Sequence, residues 1–195
     1  MLSYTMEQAY IKDKIIEKFD FTTIPLKMGE YEACTFANCN FSGADISDIR
    51  FFECVFQGCN LSNAKMQKTV LRGVQFKDCK MLGLRMDECN KFGFAVSFDN
   101  CALSHSSFYQ KVLKSTLFRK TVLQEVDFTA CDLSSAIFDE CDLAGATFDN
   151  TNIEKADFRT AYNYSIDPDK NKLKKAKFSI TGISGLLDKH NIDIS

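Results

Sequence analysis

The 195-residue chain contains no tryptophan, only two prolines, two histidines and nine glycines. So little proline and glycine excludes collagen-like and linker-dominated chains, and an apolar fraction of 45% excludes wholesale disorder. Long apolar runs are missing too, because nothing approaches the roughly 20 consecutive residues of a membrane span. Within residues 1–30 no run of seven or more apolar residues follows a basic start, so no export signal is expected. A net charge of −2 gives no overall drive toward nucleic acid or anionic lipid. His105 and His190 stand outside any recognisable catalytic motif, and no glycine-rich phosphate loop appears. These absences predict a soluble, cytoplasmic protein that is not an enzyme, carries no cofactor and keeps its thiols reduced.

What is abundant is phenylalanine, eighteen residues, with nine cysteines beside it. Counting in fives from Tyr31 reaches Phe36, Phe41, Ile46, Phe51, Phe56, Leu61, Met66, Leu71, Phe76, Met81 and Met86. Shifted by two, the series resumes at Phe98 and runs through Leu103, Phe108, Leu113 and Phe118 to Phe158 without a miss. Two residues before most of these centres stands a small side chain, as at Cys34, Cys39, Ala44, Cys54 and Cys59. Just before them Asp or Asn recurs, as at Asn40, Asp45, Asp132 and Asp142. A period of five fits neither a 3.6-residue helix nor a two-residue strand. It suits a chain that turns a corner every five residues and points one large and one small side chain inward.

Four corners per circuit would stack residues twenty apart, and the columns then sort by type. One reads Phe36, Phe56, Phe76, Phe98, Phe118, Phe138 and Phe158; a neighbouring one reads Phe41, Leu61, Met81, Leu103, Leu123 and Leu143. A three-sided coil would mix them. The phase slip lies in 87–97, where Phe92 is the expected centre, with one extra residue on each side. About six and a half turns at ~4.8 Å each predict a rod of roughly 31 Å.

The runs Cys131-Asp132-Leu133-Ser134-Ser135 and Cys141-Asp142-Leu143-Ala144-Gly145, with Ala156-Asp157-Phe158, resemble the pentapeptide-repeat family. The resemblance implies an all-β fold, a right-handed quadrilateral β-helix, over residues 31–160. Residues 1–30, where Ile11, Ile16, Phe21 and Leu26 keep the phase, are expected to form a cap and an imperfect first coil. Residues 161–195 are expected to form a loop and a short helical cap, with Phe178 closing a last turn. The ending Ile166-Asp167-Pro168, Asn171, Gly185-Leu186-Leu187 and Ile192-Asp193-Ile194 resembles the tails of quinolone-resistance (Qnr) and microcin-immunity pentapeptide proteins. That resemblance implies a helix and strand that cap the coil and a homodimer, with Leu186, Leu187, Ile192 and Ile194 as contacts. The alternative is a monomer whose tail covers the last coil.

The nine cysteines read as small inward packing residues, since no two are separated by only two residues as zinc ligands commonly are; no metal site is expected. Cys89 is ambiguous at the phase slip. Lys111 falls in an inward slot, which requires either a local bulge at 109–112 or an amine that snorkels outward. Charge is segregated: Lys65–Lys120 holds eleven basic and four acidic residues, Glu125–Asp157 nine acidic residues against Lys155, and Lys170–Lys177 five lysines. In the Qnr-like relatives an acidic rod is held to imitate DNA and engage DNA gyrase or topoisomerase IV. Carried over, this assigns partner binding to Glu125, Asp127, Asp132, Asp142, Asp149 and Glu154. Against it, Asp before a centre can bond turn backbone, and Asp139 would stack between Arg119 and Arg159 in a self-neutralising ladder. The alternatives are a scaffold for another protein partner and, as a third class that is not expected, direct nucleic-acid binding by the Lys65–Lys120 half.

Overall fold

Each five-residue step turns a corner because the second residue after a centre takes the left-handed backbone conformation. One circuit shows it at Asn38, Gly43, Asp48 and Glu53, with φ of 53°, 66°, 59° and 52°. Four such corners return the chain over itself after 20 residues: Thr35 pairs with Val55, Phe36 with Phe56 and Ala37 with Gln57, in parallel. The computed structural model describes residues 9–193, wound in this way into a four-sided parallel solenoid with almost no helix.

Where adjacent coils pair over several residues they form strands. These are β1 (Ala9–Lys12), β2 (Ile15–Glu17), β3 (Gly29–Glu32), β4 (Thr35–Ala37), β5 (Arg50–Phe52) and β6 (Val55–Gln57). They continue as β7 (Val70–Lys77), β8 (Ala95–Asp99), β9 (Leu117–Arg119) and β10 (Ile137–Asp139). Strand β7 rounds a corner, pairing its first half with β5 and its second with β6. On the other two sides the coils meet through single bridges, such as Asn40 with Asn60 and Asp127 with Thr147. The ladder there is still regular: a centre donates its N–H to the next coil (Phe41 to Asn60 O, 2.7 Å), and the residue before a centre donates to the previous one (Asn60 to Cys39 O, 3.0 Å).

The interior is filled by the repeated centres. All of those from Tyr31 to Met86 and from Phe98 to Phe158 are buried, with Phe148 the most accessible at 5%. The Phe36 column stacks face to face, with centroids 4.8 Å apart for Phe36–Phe56, 5.4 Å for Phe76–Phe98 and 4.9 Å for Phe118–Phe138. A second stack, Phe108–Phe128–Phe148, meets the first edge-on, as in the Phe118–Phe128 contact at 81°. Phe178 extends the first column, lying 5.3 Å from Phe158 at 7°. At the other end Phe21 and Leu26 are buried while Ile11 and Ile16 are half-buried.

All nine cysteines are buried free thiols, Cys89 included. They do more than fill space. The Sγ of Cys59, Cys79 and Cys141 each donates to the carbonyl of a centre in the coil before, Phe36, Phe56 and Phe118 respectively, at 3.2–3.4 Å. Thr69 and Thr151 make the same bond with Oγ1, to Ile46 O and Phe128 O, both at 2.8 Å. Where the inward slot holds a thiol or hydroxyl it can thus tie its coil to the one before, while alanine, valine, Ile49 or Leu84 fills it elsewhere. Burial raises several of these thiols, Cys54, Cys131 and Cys141 to about 12, which keeps them protonated and able to donate.

The phase slip is resolved differently from the expectation. The backbone keeps its step of five up to residue 91, with Asn90 N–H on Thr69 O at 2.9 Å and Gly93 at φ 68°. Lys91 thus stands where a centre belongs, and it is exposed, as is Phe92 at 78%. Phe94 instead leans onto the core, and both extra residues lie after the Gly93 corner rather than one on each side of Phe92. The reason lies one coil further on. Lys111 is only 1% exposed, its Nζ donates to Cys89 O at 2.5 Å and sits 5.0 Å from the Phe94 ring centre. A second amine beside it would repel, so Lys91 faces solvent and an aromatic face fills the level. The amine does not snorkel.

Burial above all pushes the Lys111 amine below the ordinary lysine range. The folded chain then binds this proton less readily than the unfolded one, so its stability rises as pH climbs toward the ordinary value. Replacing Lys111 with Met keeps the apolar stem and removes the buried charge. Lys111→Met is expected to match or exceed the parent in urea midpoint at neutral pH, with that advantage shrinking near about pH 10. A difference constant across that range would refute the assignment.

Candidate partner-binding surface

Because the interior is filled, any contact with another molecule falls to the outward positions. Each side of the solenoid shows the residue before its centre and one or two after it. The six acidic candidates divide over three sides. Glu125 and Asp142 flank the Phe41 column, Asp127 and Asp149 the Ile46 column, and Asp132 and Glu154 the Phe51 column. They do not converge on one face; they form a band around the later coils.

Their local roles differ. Asp127, Asp132 and Asp142 each precede a centre and accept the N–H two residues on, from Thr129 (2.9 Å), Ser134 (3.0 Å) and Ala144 (3.2 Å). Asn40, Asn60, Asn152 and Asp157 close the same turn elsewhere, so an Asp or Asn at this position serves the turn. Asp132 also accepts from Asn152 one coil on, and Asp142 from Gln124 and Asn163. Partial burial pushes the Asp142 carboxyl up, but the bonds from Asn163, Gln124 and the Ala144 N–H outweigh it and hold the group below the ordinary carboxylate value. Glu125 occupies a left-handed corner at φ 54°, with a carboxylate 3.1 Å from His105 Nδ1 on the coil before. Asp149 accepts only a long bond from Asn150 (3.4 Å) among the described residues, and Glu154 makes no ion pair there. Of the six, Glu125, Asp149 and Glu154 close no turn and are the least used by the backbone.

The expected ladder through Asp139 is not formed. Arg119 pairs with Asp99, Arg159 folds back onto Asp157 at 2.7 Å, and Asp139 accepts from Thr160 Oγ1 at 3.0 Å. Each arginine thus makes a bidentate pair with another aspartate, Arg119 one coil back and Arg159 on its own coil, and Asp139 is left to Thr160.

At the far end the chain makes two short 3₁₀ turns, Ile183–Leu186 and Asp188–His190, with no α-helix and no strand among the described tail residues. Gly185 lies flat on Tyr164, where an added Cβ would come within 2.1 Å of Tyr164 O, and Gly185 O accepts the Ile166 N–H at 2.8 Å. Lys189 pins the tail by bonding Asp167 and Asp169. Of the four expected dimer contacts, Leu186 packs against the core, Leu187 is half-buried, Ile192 is 56% exposed and Ile194 lies outside the described residues. No helix among the described residues is long and apolar enough to cross a membrane.

The family model described as a pentapeptide repeat region matches residues 30–91 and 94–162, its two segments parting at Phe92 and Gly93, just before the extra residues. The chain belongs to the pentapeptide-repeat family. No curated protein sequence matches it significantly. Among solved structures, a trypsin-treated form of QnrB1, a plasmid-mediated fluoroquinolone resistance protein, aligns with 22% identity and a TM-score of 0.49, covering 95% of this chain and 97% of that one. Full-length QnrB1 gives 20% identity and 0.45 over 93% and 99%. HetL of the cyanobacterium Nostoc, involved in heterocyst differentiation regulation, gives 13% and 0.40 over 88% of each chain. At such identities the likeness concerns architecture alone.

The division of the carboxylates is testable by stability. Asp142→Ala removes the acceptor of a turn N–H and of two amide side chains and is expected to cost about 1–2 kcal/mol in urea unfolding. Glu154→Gln should leave the midpoint unchanged. Equal effects would show that both, or neither, serve the fold.

Proposed function

We propose that this protein is a non-catalytic interaction rod that engages a protein partner through its outer sides, and that the band at 125–157 presents carboxylates to a type II topoisomerase in place of DNA. The observation that carries the reading is the distribution of that band. The six candidates sit on three sides of consecutive coils and Asp139, Glu140 and Asp157 on the fourth, so carboxylates surround the rod, as phosphates lie around a duplex, rather than forming a patch on one face. Glu125, Asp149 and Glu154 would supply the contacts, since the fold uses them least, while Asp127, Asp132 and Asp142 would add field from turns they already hold. The tail supports a homodimer in this reading, through the exposed Ile192 and the half-buried Leu187.

A second reading, a scaffold for another protein, is favoured by the turn-closing role of those three aspartates, which needs no partner to explain it. A gyrase supercoiling assay with a quinolone inhibitor separates the two. The wild type is expected to restore supercoiling in the presence of inhibitor, and the Glu125→Gln, Asp149→Asn, Glu154→Gln triple variant to lose most of that effect. A protein that neither binds gyrase nor alters its inhibition rules out the topoisomerase reading. Light scattering on the same preparation should give a dimer mass, reduced to a monomer by Ile192→Asp, and a monomeric wild type ends the tail-dimer proposal.

A further inference from the structure

We propose that Arg72 and Phe92 form a docking point for an acidic segment of a partner protein, on the basic half of the rod and independent of the acidic band. Three stacked positions outside the Phe51 column build it. The Arg72 guanidinium lies between two rings, with its central carbon 5.2 Å from the Phe52 ring centre and 5.5 Å from that of Phe92. Gly93 makes room for the arrangement, since an added Cβ would stand 2.7 Å from Arg72 Nε. The segment that carries Phe92 is flanked by groups that hold Lys111 inside, Cys89 O before it and the Phe94 ring after it, and Asn90 accepts the Phe92 N–H at 2.9 Å. The knob is thus set before any partner arrives, so little ordering cost falls on binding.

The occupant follows from charge. Arg119, Arg85 and Arg159 each have an aspartate within 2.7 Å, whereas Arg72 has no ion pair among the described residues. With a ring on either side and no aspartate on its nitrogens, its fork of donors is left for a planar acceptor, the geometry that suits a carboxylate. Exposed Lys91 precedes Phe92, Lys114 stands one coil on, and the segment from Lys65 to Lys120 carries eleven basic against four acidic residues. Phe92, 78% exposed, offers apolar area beside the charge, and buried aromatic and arginine anchors dominate protein interfaces. A nucleic acid fits less well, because Arg72 covers one face of the Phe92 ring on which a base would stack.

A displayed library of random peptides, selected in parallel on the wild type and on Arg72→Gln, tests this. The wild type should enrich peptides that place Asp or Glu beside an apolar residue. A synthetic copy should bind Arg72→Gln and Phe92→Ser about tenfold or more weakly, and Arg119→Gln, whose arginine is already paired, as well as the wild type. Arg72→Lys, which keeps charge but not the fork, should recover only part. The proposal fails if nothing is enriched, if Arg72→Gln recovers the same peptides, or if the enriched peptides lack acids. It fails equally if a single-stranded oligonucleotide binds in an Arg72-dependent way, or if the wild type self-associates and Arg72→Gln does not, since the occupant is then nucleic acid or a second copy.

Discussion

Backbone hydrogen bonds between successive coils tie each inner side chain to the one a full circuit away, and this register governs the rest of the molecule. A side chain that enters the interior of one coil must fit directly under its counterpart in the next. Flat rings satisfy that condition well, because two parallel phenyl groups fill the spacing between paired strands. That is why the Phe36 column stays aromatic from Phe36 to Phe178. The narrow bore leaves each centre room for one companion, and where that companion carries a thiol or hydroxyl, as at Cys59, Thr69 and Thr151, it is spent on a carbonyl of the coil before.

The same register organises the exterior. Outward residues repeat along each side as ladders, so surface chemistry is written in rows rather than in clefts. A row position next to a corner serves the turn first, which explains Asp and Asn before so many centres. Rows farther from the turns are freer to vary in charge, and there the chain changes from basic to acidic along its length. The molecule therefore presents two surfaces of opposite sign on one stiff body.

Much of this was legible from residue order. The five-step series named every buried centre, and sorting by twenties separated a four-sided coil from a three-sided one. What escaped depended on contacts that periodicity does not contain. Phe92 looked like a centre because it is aromatic, but the backbone counted to Lys91, and only the position of the Lys111 amine shows why Phe94 fills the level. The thiols read as packing alone, although Thr69 and Thr151 in the same slot were a visible sign that a donor is wanted there. Asp139 failed as a rung because Arg159 finds Asp157 on its own coil. The six carboxylates were chosen by density along the chain, which says nothing of the side they face. Phe52, Arg72 and Phe92 stand twenty apart, yet reading Phe92 as a centre turned its ring inward and hid the stack it makes with Arg72.

Interchangeable coils carry a hazard that the bulge addresses. A chain in which each circuit resembles the next can pair one turn out of place and still satisfy most of its ladder, a kinetic trap open to repeat proteins during folding. The coil that holds the two extra residues cannot be exchanged with another. Slid by one circuit, Lys111 would lose both the carbonyl and the ring that accept it and would leave an unpaired amine in an apolar bore. A single charged residue in the core thus works as a registration mark, and the rod counts its turns from the middle.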